Sequence, residues 1–274
     1  MPPQPRRRAP RPRVVATDLD GTLLDPRGAV TARTRAALHR MWDLGIETVF
    51  VTARPPRWID PLADHVGGHG VVICANGAFV YEVAQRRVVE AIGIAHPSLR
   101  AIVADVRAHY PSVGFAAERP EGMHLDRSYT SPMLPPHAHD DPAIDHGPIE
   151  SVRGVVGKLL ARDPAVPDLE FIEGVAALVG DRGIVAYSGA GGLAEIGPPG
   201  VTKATALARW CSQRRIDAAD VWAFGDMPND LPMLAWAGRS FAMGSGHEQV
   251  RQSADEVCAG NDDDGVARVL EQIR

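Results

Sequence analysis

Val14-Val15-Ala16-Thr17-Asp18-Leu19-Asp20-Gly21-Thr22-Leu23-Leu24 is the stretch on which the reading of the whole chain turns. A short apolar, β-branched run passes into a tight polar turn, the pattern of a buried strand with a loop at its carboxyl end. Asp18 and Asp20 stand two residues apart, and along extended backbone residues i and i+2 project to the same side. Both carboxylates can therefore face one site. In an open α/β sheet, the carboxyl end of a strand is where ligands bind.

Outward from this stretch the periodicity alternates. Residues 31–44 place Ala36, Ala37, Leu38, Met41 and Trp42 at helical spacing behind a capping Thr31, and Gly45 ends the run. Residues 46–51 read as a strand closed by Thr52-Ala53-Arg54, residues 57–65 as a helix, and residues 71–75 as a strand ending at Asn76-Gly77. This rhythm predicts a parallel sheet with Asp18, Thr52 and Asn76 along one edge. The pattern then changes to a hairpin over residues 79–91, a helix over 97–110 and short strands around 113–118, 123–127, 155–161, 184–188 and 192–196, with a helix over 166–179. From Gly200 the α/β rhythm returns, with helix 203–213, strand 221–224 and further short elements to the end. The expected fold is α/β: a doubly wound, mostly parallel, three-layer Rossmann-like core carrying an inserted α+β cap. The expected boundaries are a disordered basic tail over residues 1–12, a core of 13–83 and 197–274, and a cap of 84–196.

Composition narrows the function. The 274 residues are 45% hydrophobic with a net charge of −5, which provides no basic field for nucleic acid or a membrane surface. The Pro- and Arg-rich start precedes no uncharged apolar run, so it reads as a tail rather than a signal. Cys74, Cys211 and Cys258 fit neither a zinc site nor a disulfide framework, which points to a reducing, cytoplasmic setting. Cys74, Cys211 and the tryptophans Trp42, Trp58, Trp210, Trp222 and Trp236 read as core. His137, His139, Asp140, Asp141, Asp145 and His146 are irregularly spaced in a Pro-rich stretch and read as a cap loop rather than a second metal site. Asn261 reads as the cap of the last helix, ahead of Asp262, Asp263 and Asp264.

A second acidic cluster, Gly225-Asp226-Met227-Pro228-Asn229-Asp230, follows another buried strand and should reach the same sheet edge. Converging carboxylates without Cys or His suit a hard cation such as Mg²⁺. Lys203, at the start of a helix, and the hydroxyl of Thr52 add a fixed cation and a hydrogen-bond donor. Together these residues describe a site for a small phosphorylated metabolite.

Asp18-Leu19-Asp20-Gly21-Thr22, Thr52, Lys203 and Gly225-Asp226 through Asn229-Asp230 resemble, in order, the four motifs of the haloacid dehalogenase superfamily of phosphohydrolases. Asn76-Gly77-Ala78, Leu193-Ala194-Glu195-Ile196, Ala242-Met243-Gly244 and Asn261-Asp262-Asp263-Asp264-Gly265-Val266 resemble its Cof-type subfamily, whose cap is inserted between the second and third motifs. The resemblance implies a Mg²⁺-dependent phosphatase acting on small phosphomonoesters, with sugar phosphates as one candidate class. It implies Asp18 as nucleophile and Asp20 as general acid and base. Mg²⁺ would be held by Asp18, the backbone carbonyl of Asp20, and Asp226, with Asp230 supporting from behind these ligands or through water. Thr52, Lys203 and Asn229 would bind the phosphate, and Arg54, Arg57 and Asn76 would contact substrate together with the cap. Thr52-Ala53-Arg54 stands where the subfamily has Thr-Gly-Arg, and Lys203-Ala204 where it has Lys-Gly; both departures bear on fit more than on chemistry. Two other readings stay open: a phosphomutase or phosphotransferase on the same fold, and a non-catalytic regulatory protein that binds a phospholigand. A monomer is the default oligomeric state.

Overall fold

The computed structural model describes residues 11–59, 70–134, 137–141, 144–187 and 191–274. The tail expected over residues 1–12 and the helix expected over 57–65 fall mostly outside the described residues. β1 (Val14–Thr17) leads through a turn at Leu19–Leu23 to α1 (Ala32–Asp43), β2 (Glu47–Val51), β3 (Val71–Cys74), β4 (Phe79–Glu82) and β5 (Arg87–Ala91). A second module then follows: α2 (His96–His109), β6 (Gly114–Arg119), β7 (Gly122–Leu125), β8 (Asp145–His146), β9 (Lys158–Arg162), α3 (Asp168–Val179), β10 (Ile184–Ala186) and β11 (Leu193–Gly197). The chain returns with α4 (Lys203–Gln213), β12 (Val221–Gly225), α5 (Leu231–Trp236), β13 (Arg239–Met243), α6 (Glu248–Ser253), β14 (Glu256–Cys258) and α7 (Gly265–Leu270).

Among the described residues, the first and last segments build one eight-stranded sheet in the order β14-β13-β12-β1-β2-β3-β4-β5. Strands β14 to β3 run parallel, and β4 and β5 add an antiparallel edge. β1 is central and buried at every residue, as its unbroken apolar run requires of a strand covered on both faces. Alternate residues serve the two faces. Val15, Phe50, Val72 and Phe224 share a core with Leu38 and Met41 of α1 and with Val266 and Leu270 of α7. Val14, Ala16, Val49 and Ala223 share the other with Leu207 and Trp210 of α4 and Met233 of α5. This is the expected three-layer core, and it delivers the ends of β1, β2 and β12 to one edge.

The inserted module is a six-stranded sheet in the order β10-β11-β9-β6-β7-β8. All its pairs are antiparallel except β7–β8. One face (Phe115, Ala117, Leu159, Ala161, Ala194, Ile196) packs on α2 and α3. The other (Ala116, Met123, Leu125, Leu160, Leu193) forms a separate apolar cluster with Tyr129. No helix among the described residues is long and apolar enough to cross a membrane.

Several expectations need correction. The strand Arg87–Ala91, assigned to the cap from residue 84 onward, pairs with β4 in the core sheet; the hairpin turn is a bend within one sheet, not a domain boundary. Trp42 is 55% exposed, because its neighbour Met41 takes the inward position on α1. Asn261 does not cap the last helix. Its amide donates to the Leu24 carbonyl at 2.8 Å, and the residue preceding α7 is Asp264, in the left-handed region at φ 55°. The stretch read as a cap loop is not among these corrections; in it His139 Nε2 lies 3.0 Å from the Tyr129 carbonyl and His146 Nε2 lies 3.1 Å from that of Asp141.

Candidate active site

Asp18 is the first residue beyond β1, and its N–H donates to the Phe224 carbonyl of β12 at 3.1 Å. The carboxylate is buried. α4 starts opposite, behind a Thr202 side chain that accepts the Thr205 N–H at 3.2 Å, and its first residue is Lys203. The Lys203 ammonium donates to Asp18 Oδ1 at 2.6 Å and to Asp230 Oδ1 at 2.6 Å. Two acids and one base thus share a site nearly closed to solvent. Burial pulls the Lys203 ammonium down, but Asp18 and Asp230 outweigh it and hold the group above its usual range. Burial pushes the Asp18 carboxyl well up; Lys203 draws it back, and Asp230 and Asp226 add repulsion.

The turn after β12 positions the other acids. Asp230 Oδ2 accepts the N–H groups of Asp226 and Met227 at 3.0 and 3.1 Å. With both oxygens engaged, Asp230 fixes Lys203 and the turn. Asp226 Oδ1 accepts the Thr22 hydroxyl at 2.9 Å. Burial and the Asp230 carboxylate push Asp226 up to about 6, against the pull of Thr22 and Lys203. Asp18, Asp226 and Asp230 each offer an oxygen, all within 4.8 Å of one another. This is an all-oxygen, anionic donor set with a carboxyl held high by its neighbours, and it fits Mg²⁺, which would relieve that repulsion.

Gly21 makes this geometry possible. It sits at φ +77°, and a Cβ there would lie 2.3 Å from Asp226 Oδ2. Gly21→Ala is therefore expected to destabilise the fold by about 1–3 kcal/mol through the left-handed backbone alone. It should also push Asp226 aside, so that Mg²⁺ raises the melting temperature of the variant less than that of wild type. Thermal melts with and without Mg²⁺ measure both effects.

Asp20 lies at the mouth of the site with its side chain 57% exposed. Arg54 grips it as a fork, Nε to Oδ2 at 2.7 Å and Nη2 to Oδ1 at 2.5 Å. Arg54 thus bonds to Asp20. Thr52 follows directly on β2, fully buried, and its Oγ1 accepts the Arg54 N–H at 3.1 Å. Ala53 and Arg54, not Thr52, line the cavity. Asn229 lines it too; its Nδ2 donates to Asn76 Oδ1 at 3.3 Å, while its own Oδ1 is buried without a hydrogen-bond partner. Asn76, in the left-handed region at φ 55°, donates to Glu195 Oε2 at 3.0 Å.

The cavity is about 440 Å³ and runs from Asp18 and Lys203 to the cap sheet. Its far end holds four charged residues, of which Arg57 was expected near substrate and Glu195 stood in a quoted motif, while Lys158 and Glu118 were not singled out in the sequence. Lys158 Nζ donates to the Ala53 carbonyl at 2.7 Å and lies 2.9 Å from Glu195 Oε2. Arg57, from the core, forks onto Glu118 at 3.0 and 2.8 Å. Glu118, Lys158 and Glu195 are all buried. The available signal was alternation: positions 116 and 118, 158 and 160, and 193 and 195 share one face of their strands.

Comparison with known proteins agrees with this architecture. The sequence profile of the haloacid dehalogenase-like hydrolases matches residues 15–270. The 5-amino-6-(5-phospho-D-ribitylamino)uracil phosphatase YitU of Bacillus subtilis is 28% identical over 96% of this chain and 97% of its own. The pyridoxal phosphate phosphatase YbhA of Escherichia coli is 26% identical over 94% of this chain and 97% of its own. BT1666 of Bacteroides thetaiotaomicron, a phosphatase of the haloalkanoate superfamily, superposes with a TM-score of 0.80 at 26% identity, covering 99% of this chain and 98% of its own. With the profile spanning nearly the whole chain and the fold shared throughout, the protein belongs to the haloacid dehalogenase-like hydrolases.

Proposed function

We propose that this protein is a Mg²⁺-dependent phosphatase that hydrolyses small phosphomonoesters through an aspartyl-phosphate on Asp18. The observation that carries this reading is the buried Asp18 carboxylate, held by Lys203 at the inner end of the cavity with Asp20 two residues away at its mouth. Named phosphatases among the relatives support it.

Asp18, Asp226 and the backbone of Asp20 would hold Mg²⁺, which supplies positive charge against the phosphoryl oxygens. An Asp18 oxygen attacks phosphorus, forming the Asp18 O–P bond as the ester P–O bond breaks. Asp20 delivers its proton to the departing alkoxide. A water then attacks phosphorus, Asp20 takes back a proton, and the Asp18 O–P bond breaks to release phosphate. Lys203 and Asn229 hold phosphoryl oxygens, Thr52 fixes the loop that carries Arg54 from behind the cavity wall, and the Lys203 charge also keeps Asp18 ionised. Arg54 orients Asp20 and must loosen its grip when the proton moves. The cap closes the cavity against other water. A cytoplasmic setting accords with three free cysteines.

The test is phosphate release from a panel of phosphomonoesters. Activity is expected to vanish on chelation of divalent cations and to return with added Mg²⁺. Full turnover in the presence of chelator would overturn the metal assignment. Transfer to added sugar that outruns hydrolysis would make the protein a phosphotransferase.

A further inference from the structure

The two ends of the cavity differ in chemistry. The inner end carries Asp18, Lys203 and Asp226; the outer end is walled by Trp58, Met123, Tyr129, Leu134, Leu160 and Leu193. Met123, Tyr129, Leu160 and Leu193 belong to one apolar cluster on the inner face of the cap sheet. The charged side chains beside this wall are matched to each other. Both oxygens of Glu118 accept from Arg57. Lys158 is shared between Glu195 and the Ala53 carbonyl, and Glu195 also accepts from Asn76. Among the described residues of the outer end two anions face two cations, and each of these charges is paired.

Each class of leaving group meets this surface differently. A sugar brings several hydroxyls that would leave water for a wall of carbon and for polar groups already engaged, and unpaired buried hydroxyls are costly. A second phosphate or a carboxylate would have to break a buried ion pair to find a cation. A flat, uncharged ring loses nothing of this kind and gains apolar contact on Leu160, Leu193 and Trp58. The cavity, at about 440 Å³, is toward the small end of ligand pockets and suits a phosphoryl group with a single substituted ring.

Resting on the phosphatase reading above, we propose that the substrates are monophosphate esters of uncharged, flat, largely apolar alcohols of the arylmethanol or heteroarylmethanol kind, rather than sugar phosphates or bisphosphates. The selecting surface is the inner face of the cap sheet, with Leu160 at its centre.

Two assays test this together: hydrolysis by wild type, and equilibrium binding to the Asp18→Asn protein, where turnover plays no part. Benzyl phosphate, a hexose phosphate and a hexose bisphosphate are the probes. Wild type is expected to favour benzyl phosphate over the hexose phosphate by at least about tenfold in kcat/KM, with the bisphosphate poorer still. Asp18→Asn should bind the probes in the same order. Leu160→Asn should cut the benzyl preference at least about fivefold. Met133→Ser, at a half-exposed position on the rim, should cut it less and covers the case of a misfolded Leu160 variant. Equal or preferred handling of the hexose phosphate, or a ratio unmoved in both variants, overturns the inference while phosphate release stands. The reverse case is also distinct: no release from any ester, with benzyl phosphate still bound preferentially, overturns the phosphatase reading and leaves the selective surface in place.

Discussion

Asp18→Asn is expected to lower phosphate release on the order of 10⁴-fold or more, with the fold intact. The reason is specific to the oxygen that reacts. A carboxylate attacks phosphorus through an anionic oxygen, whereas an amide carbonyl of the same shape has little nucleophilicity and cannot form the acyl phosphate. The neighbours argue that folding survives. Burial already disfavours the Asp18 charge, and Asp230 and Asp226 add repulsion. Removing that charge costs the ion pair to Lys203 but relieves both penalties, and the asparagine oxygen can still accept from the ammonium. The melting temperature should therefore stay within about 5 °C of wild type. Turnover within tenfold of wild type would remove Asp18 from the chemistry.

Lys203→Ala should cost both stability and activity. Its ammonium is the shared partner of Asp18 and Asp230, at 2.6 Å from each. Without it, two buried carboxylates face each other uncompensated, and breaking a buried pair in this way costs about 3–5 kcal/mol. The same change removes the charge that keeps Asp18 ionised and a donor to the phosphoryl group, so kcat should fall about a thousandfold. The pH dependence has a definite sign. Losing Lys203 removes the main influence that lowers the Asp18 carboxyl, so its folded value moves further above its unfolded one. A carboxyl raised on folding favours the folded state at low pH and disfavours it as pH rises. The variant's stability deficit should thus shrink on acidification. Lys203→Met, which keeps volume without charge, separates packing from electrostatics: denaturant melts of both variants should show similar deficits at neutral pH.

The parts of this protein that were legible in its sequence are those where one local rule decides the outcome. An apolar run bounded by Asp18 reads as a buried strand with a polar end, and Thr31 precedes a helix whose N–H groups need acceptors. The acids of Asp18-Leu19-Asp20 and Asp226 through Asp230 come together because parallel strands share one edge. The outer half of the site was not legible. Glu118, Lys158 and Glu195 are charged residues in strands, a pattern that ordinarily marks a solvent face. Here the cap sheet turns that face toward the core, and only tertiary packing supplies Arg57, Asn76 and the Ala53 carbonyl as partners. Arg54 was expected at the substrate, and its bond to Asp20 was hidden for the same reason, since the two lie 34 positions apart. Trp42 was misread because helical spacing gives the face of a residue only to within one position, and Met41 and Trp42 are adjacent.

The most direct measurement is chemical capture of the intermediate. The enzyme is mixed with a turned-over phosphomonoester and Mg²⁺, quenched in acid within the first turnover, treated with hydroxylamine and digested for peptide mass spectrometry. An acyl phosphate on Asp18 is expected to appear as a hydroxamate at that residue alone, and to be absent from Asp18→Asn and from enzyme quenched without substrate. Phosphate released in a full first turnover with Asp18 unmodified, or with the label on another residue, would contradict the account.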